Sequence, residues 1–229
     1  LFAVRHYEVM AQTRVSRGAY HHGDLPNALA DAATDLARGG GPEAIVLREA
    51  ARRVGVSAAA AYRHFVGHGE LLQAVKHRAL AALADAMQAG LDSGEPLADP
   101  AQDAVRRFRN LGTAYVGFAI ENPGLFHTAF CRGDVPVGEV PAGEVTARIA
   151  ATRPYQIVSG SLDELVAVGL LDPARRLMAP IAFWAGVHGL ATLLVDGPLA
   201  ALSPAEQAGA IQHTLDILSD GIGSPARSR

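Results

Sequence analysis

Apolar residues recur at helical spacing along most of this chain, and the alternation that builds strands holds nowhere. Leu25, Leu29, Ala32 and Leu36 fall on one face of a first helix. Asp24 stands where a cap belongs, and the run Gly39-Gly40-Gly41-Pro42 ends the helix near Arg38. Leu47, Ala50, Ala51 and Val54 repeat the pattern over a shorter second helix, and a third runs from Ser57 to Phe65. A fourth starts near Glu70 with the stripe Leu71, Val75, Leu83 and Met87, and ends around Gly90–Gly94. Pro100 opens a fifth helix carrying Val105, Phe108, Leu111, Tyr115 and Phe118; Asn122-Pro123 stops it, and a short helix covers 123–130. Residues 131–155, rich in glycine, proline and valine and without a period, read as a mobile loop. Helices follow near 156–170, 173–195 and 204–220. The expected fold is all-α, without a repeat of solenoid length.

The densest local signal is LREAARRVGVSAAAAYRHF, residues 47–65. Gly55 can take the left-handed conformation that a helix C-terminus often needs. Two residues on, the Ser57 hydroxyl can accept a hydrogen bond from an orphan N–H of the next helix. Two short helices around so tight a turn make a helix-turn-helix, which lays its second helix in the major groove of DNA. Tyr62, Arg63 and His64 sit near the end of that second helix, and each can bond phosphate or a base edge. Phe65 and the pair Leu71–Leu72 anchor the unit to the longer helix that follows.

Four blocks here, YHHGDL (20–25), LREAARRVGVS (47–57), AYRHF (61–65) and ELLQAV (70–75), stand in order and at the right separations. Together they resemble the DNA-binding domain of the TetR family of bacterial transcriptional regulators. ENPGLFHTAF (121–130) and FWAGVHGL (183–190) resemble the subgroup whose effector domain carries a Trp-x-x-x-His-Gly signature. The resemblance implies a disordered arm over 1–19, a helix-turn-helix domain over 20–76, an effector-binding and dimerisation domain over 77–222, and a disordered tail over 223–229. It further implies a cytoplasmic homodimeric repressor that binds a double-stranded DNA operator and is released by a small, largely apolar molecule, without a cofactor.

Carried over residue by residue, the resemblance turns Ala58, Ala59 and Ala60 towards the bases, where they offer only methyl contact with thymine. Arg63 would pair with guanine, Tyr62 and His64 would bond phosphates, and Arg48, Ser57 and His68 complete the DNA-binding set. Tyr115, Phe118, Phe126, Phe130, Trp184 and His188 would line the effector cavity. The helices at 173–195 and 204–220 would pack on their twins, with Ala185, Gly186 and Gly189 permitting close approach. Three positions depart from the family pattern. Val46 replaces a capping serine or threonine and Pro26 replaces an arginine, so each removes a phosphate contact; His68 replaces a lysine, and its neutral imidazole donates one bond but loses the fixed charge.

Charge sharpens this picture. The chain of 229 residues has a formal net charge of −3, but residues 1–80 hold ten Lys and Arg against seven Asp and Glu, with six of the nine histidines. A nucleic-acid partner therefore has its footprint in the N-terminal part. A lone cysteine, Cys131, rules out an internal disulfide framework and leans towards a reducing compartment. LFAVRHYEVM lacks the apolar region of a secretory signal, and translation from Leu1 or from Met10 is left open. Residues 177–195 run without a formal charge for about the length that spans a bilayer; Pro180, Trp184 and His188 favour a helix buried at a subunit interface instead. His64 and His68 have the four-residue spacing of a metal-binding pair, but no further ligand completes a site, and no metal is expected. An enzyme is the rival from another class. Its support is the pair His127 and Cys131, because Ser159-Gly160-Ser161 lacks the glycines of a nucleophile elbow.

Overall fold

The computed structural model describes residues 24–131 and 142–223, and among them stand ten α-helices and no strand. The expected arm over 1–19, the motif residues 20–23 and the tail from 224 onward lie outside the described residues. Helix α1 spans Leu25–Gly40, α2 Leu47–Val54, α3 Ala58–Tyr62 and α4 His68–Leu91. They are followed by α5 Pro100–Glu121, α6 Pro123–Phe130, α7 Ala142–Ala150, α8 Arg153–Ala167, α9 Ala179–Val195 and α10 Pro204–Gly223.

Helix α1 packs on α4 and on α2, and α3 packs on α2 and α1. Asp24 holds the position before α1 without capping it; its Oδ1 accepts from Asn27 Nδ2 at 2.6 Å instead. The buried side of α1 is Leu29, Ala30, Ala33 and Ala37, while Leu25, Ala32 and Leu36 pack at its edges. Small alanines bring the helix close to its neighbours and leave Leu25 and Leu36 to wrap the rim. Gly55 ends α2 at φ +80°, with its N–H on the Arg52 carbonyl at 3.2 Å and that of Val56 on Ala51 at 3.0 Å. The third helix is shorter than the sequence pattern suggests. Past Tyr62, the N–H groups of His64 and Phe65 both turn back to the Ala61 carbonyl, which drops Phe65 into the core. Helix α4 then starts at His68, two residues early, with Gly69 inside its first turn; Glu70 reaches back to accept the Val66 N–H at 2.7 Å.

Leu71, Val75, Ala79, Leu83 and Met87 form one fully buried stripe along α4, which runs from the helix-turn-helix into the C-terminal half without a break. Burying each large side chain contributes roughly 1.5–3 kcal/mol, so this helix carries much of both cores. It packs against α5, α6 and α8 beyond the helix-turn-helix. Phe108 on α5 and Phe183 on α9 join the layers behind it, with ring centroids 4.8 Å apart.

Two expectations need correction here. The segment read as a loop contains α7, and α8 already starts at Arg153. Gly and Pro density masked the helical sequence at 142–150, where Glu144 and Arg148 pair across one turn at 2.6 Å. The helix expected over 173–195 is broken as well: Pro173–Arg175 form a single 3-10 turn, and α9 begins at Ala179. Pro180 belongs in a first turn, because deeper in a helix its ring would clash with the carbonyl four residues earlier. No helix among the described residues is long and apolar enough to cross a membrane.

Candidate functional site

Two sites emerge, and α4 and α6 connect them. At the first, Arg48, Ser57, Ala59, Tyr62, Arg63, His64 and His68 are exposed around the helix-turn-helix, whereas Ala58 and Ala60 are half-buried. Ala61 is fully buried and pins α3 to α2. Ala59 and Tyr62 are the exposed residues of α3, and Arg63, also exposed, follows its last residue. Ser57 caps α3 as its chemistry suggests, its hydroxyl accepting the Ala60 N–H at 3.2 Å.

The arginines of this face are not equivalent. Glu49 accepts from Arg52 at 2.8 Å through both carboxylate oxygens and from Arg53 at 3.3 Å. The hydrogen bonds from Arg52, followed by those from Arg53, hold the Glu49 carboxyl down at about 2 against the cost of desolvation. Arg48 and Arg63 make no hydrogen bond or ion pair among the described residues, so their guanidinium groups stand ready for phosphate or base. His64 and His68 are both exposed, and among the described residues no group of three or more metal-ligating side chains comes together.

The second site lies between α4, α5, α6, α8 and α9. Its cavity of about 180 Å³ is walled by Leu80 and Met87 of α4, Tyr115 of α5, Ala129 and Phe130 of α6, and Phe183, Trp184 and Val187 of α9. Ile149, Thr152, Tyr155 and Val158 close it from α7 and α8. No charged side chain lines it. Tyr115 is the polar hub: Trp184 Nε1–H donates to its oxygen at 3.2 Å, and that oxygen shares a hydrogen with His188 Nδ1 at 2.9 Å. Burial pushes the Tyr115 hydroxyl well above its ordinary range and outweighs the opposing hydrogen bond from Trp184. Burial likewise lowers His188, which keeps the imidazole neutral at neutral pH.

Helix α6 ties this cavity to the DNA-reading unit. At Gly124 a Cβ would collide with the carbonyl oxygens of Ala37 and Arg38, so only glycine lets α6 lie against the end of α1. Farther along, Lys76 Nζ of α4 donates to the Cys131 carbonyl at 2.6 Å. The cavity wall at Ala129 and Phe130 is therefore clamped at both ends to elements of the helix-turn-helix unit.

Residues 29–75 match the family model described as bacterial regulatory proteins, tetR family, and residues 108–218 match one described as tetracyclin repressor-like, C-terminal domain. The chain belongs to the TetR family. It is a DNA-binding transcription regulator, of a family of transcription factors and not of enzymes. Among solved structures it is similar to a protein of unknown function from Rhodococcus sp. RHA1, at 26% identity over 90% of this chain and 100% of that one, with TM-score 0.70. It shares the fold of the TetR family transcriptional regulator PfmR from Thermus thermophilus, at 22% identity over 86% and 99% of the two chains and TM-score 0.52. A TetR family transcription regulator from Marinobacter aquaeolei VT8 has the same fold at 17% identity, over 87% and 96%, with TM-score 0.59. No curated protein matches the chain.

In this TetR-family regulator, the cavity takes Tyr115, Phe130 and Trp184 from the six residues expected to line it. Phe126 and His188 stand behind that wall: their rings lie 5.2 Å apart, and each contacts Tyr115 and Phe130. Phe118 is buried in the core outside the cavity. Sequence reading missed Tyr155, Thr152 and Ile149, because they lie in the stretch taken for a loop. It also missed Leu80 and Met87, whose apolar character distinguishes no cavity wall from any other core. Gly186 faces Leu218 of α10 within the same chain, 2.9 Å from where its Cβ would be, and so serves internal packing. The pair behind the enzyme reading is separated by its partners. His127 Nε2 meets Asp196 Oδ2 at 2.7 Å, and the Cys131 thiol, raised by burial, donates to the Thr128 carbonyl at 3.2 Å.

Proposed function

We propose that this regulator is a homodimeric repressor whose hold on a double-stranded DNA operator is released when a small molecule fills the cavity. The continuity of α4 and α6 carries this reading: both line the cavity, and both are fastened to the helix-turn-helix unit. An occupant that prefers one arrangement of these helices shifts the spacing of the reading heads, and only through that differential affinity can it act. In a two-fold dimer the α3 helices must sit roughly 34–36 Å apart to enter successive major grooves.

Support for the dimer comes from α9 and α10, which expose the apolar side chains Ile181, Leu193 and Ile217 beside the small residues Ala185 and Gly189. Trp184 and His188 of the Trp-x-x-x-His-Gly signature both bond Tyr115, which supports the subgroup resemblance. The proposed domains are 20–76 for DNA and 77–222 for effector and dimer contacts, and the proposed place of action is the cytoplasm.

Within the reading unit, Arg63 is assigned to base recognition with Arg48 adding to specificity, Ser57, Tyr62, His64 and His68 to phosphates, and Ala58, Ala59 and Ala60 against the bases. The test is fluorescence anisotropy of the purified protein on DNA from upstream of its own gene, across a salt series. Saturable binding that resists random competitor and weakens with salt is the expected result. Binding no tighter than to random DNA would overturn the operator assignment.

A further inference from the structure

Resting on the reading of the cavity as the effector site, we propose that it takes an uncharged, ring-sized molecule bearing a hydroxyl group, such as a monocyclic phenol, and excludes carboxylates and phosphates. Size sets the first limit. An apolar cavity of roughly 150 Å³ holds a benzene molecule, and this one measures about 180 Å³, so one substituted ring fits. Shape and surface set the second. Phe130, Tyr155, Phe183 and Trp184 present aromatic rings to the occupant, which an arene meets in edge or offset contacts.

Charge sets the third limit. With no Lys, Arg or His among the lining residues, an anion would be stripped of water and left without a counter-charge. The hydroxyl follows from hydrogen-bond accounting. Tyr115 oxygen already serves Trp184 and His188, and the imidazole tautomer decides whether its one remaining place is a lone pair or its hydrogen. Thr152 spends its hydrogen on the Ile149 carbonyl at 2.7 Å and keeps only lone pairs. Tyr155 has no hydrogen-bond partner among the described residues. A ligand hydroxyl, both donor and acceptor, meets every one of these demands, whereas a carbonyl or ether meets only some.

Trp184 is the single tryptophan of the chain, so its fluorescence reports directly from the cavity wall. The full-length protein is titrated with 4-ethylphenol, ethylbenzene and 4-ethylbenzoate at neutral pH, with excitation at the red edge of tryptophan absorption. Expected are a saturable change with 4-ethylphenol, binding about five- to tenfold weaker for ethylbenzene, which lacks the hydrogen bond, and no saturable change with 4-ethylbenzoate. Tyr115→Phe should bring 4-ethylphenol down towards ethylbenzene while leaving ethylbenzene in place, which shows the cavity intact. Ala129→Leu, which fills the cavity, should abolish both.

Equal affinity for phenol and hydrocarbon, binding of the carboxylate, silence with all three probes, or a signal that survives Ala129→Leu would each overturn the proposal. Operator anisotropy with the same compounds separates it from the parent reading. A phenol that binds without releasing DNA sinks the effector role and leaves the ligand class standing. An anion that releases DNA does the reverse.

Discussion

At the scale of single residues, the sharpest division is between side chains already committed and those still free. Glu49 occupies Arg52 and Arg53, so among the described residues of this face Arg48 and Arg63 are the arginines left for DNA. Replacing Arg63 by alanine should cost ~1–3 kcal/mol at the preferred base and flatten the preference. Tyr62→Phe and His64→Ala should weaken all sequences alike; anisotropy on a panel of operator variants separates the two behaviours. Ser57→Ala removes the cap on Ala60 N–H and should lower stability by about 1 kcal/mol in thermal or urea melts, with a matching loss of helix-turn-helix order. His188 gives a pH prediction. Burial lowers its folded-state affinity for a proton below the ordinary 6.5, so the unfolded chain protonates first as the solution acidifies. This contribution is intact above about 6.5 and is lost as pH falls below it. Melting temperatures of the wild type and His188→Gln should therefore converge on acidification, and parallel pH curves would remove His188 from that role.

At the scale of elements, helix α6 is decisive, and its importance was invisible in its own sequence. PGLFHTAF reads as one short apolar helix, yet Gly124 makes it the contact with α1 and Phe130 makes it a wall of the cavity. Gly124→Ala should force α6 off the end of α1. The expected result is weaker operator binding at unchanged dimer affinity, together with a destabilisation of the ~1–3 kcal/mol typical of overpacking, read by anisotropy and urea melts. Retention of full operator affinity would detach α6 from the DNA-reading unit. The stripes of α2, α4 and α5 were legible because a helix buried along one side repeats its apolar residues at fixed intervals. The misread elements, α7 and the start of α9, were hidden by proline and glycine, which punctuate loops and also occupy first turns.

At the scale of the whole molecule, the exposed apolar side chains of α9 and α10 are the surface on which the proposed dimer rests. Ile217 is 59% exposed and Leu193 42%. Ile217→Arg should convert the dimer to monomer in sedimentation velocity and steepen the concentration dependence of operator binding, because one reading head alone makes half the phosphate contacts. A dimer of undiminished stability would place the interface elsewhere. Two polar links join layers of the fold: Arg78 bonds Asp31 and Asn27 across α4 and α1, and Arg107 bonds Glu164 across α5 and α8.

What the sequence determined alone is the all-helical class, the helix-turn-helix and its Ser57 cap, and the family, because these rest on local periodicity, turn chemistry and short ordered motifs that neighbouring residues specify. Of the six residues expected around an effector cavity, Tyr115, Phe130 and Trp184 line the space, while Phe126, His188 and Phe118 do not. Only the tertiary structure decided that division. A cavity is a volume left between helices distant in sequence, and a ring on the apolar face of one helix turns towards it or away by a fraction of a turn. The same holds for Gly186, which meets Leu218 of its own chain, and for Gly124 against the carbonyls of Ala37 and Arg38. No local pattern records such meetings, because each depends on where another helix comes to rest.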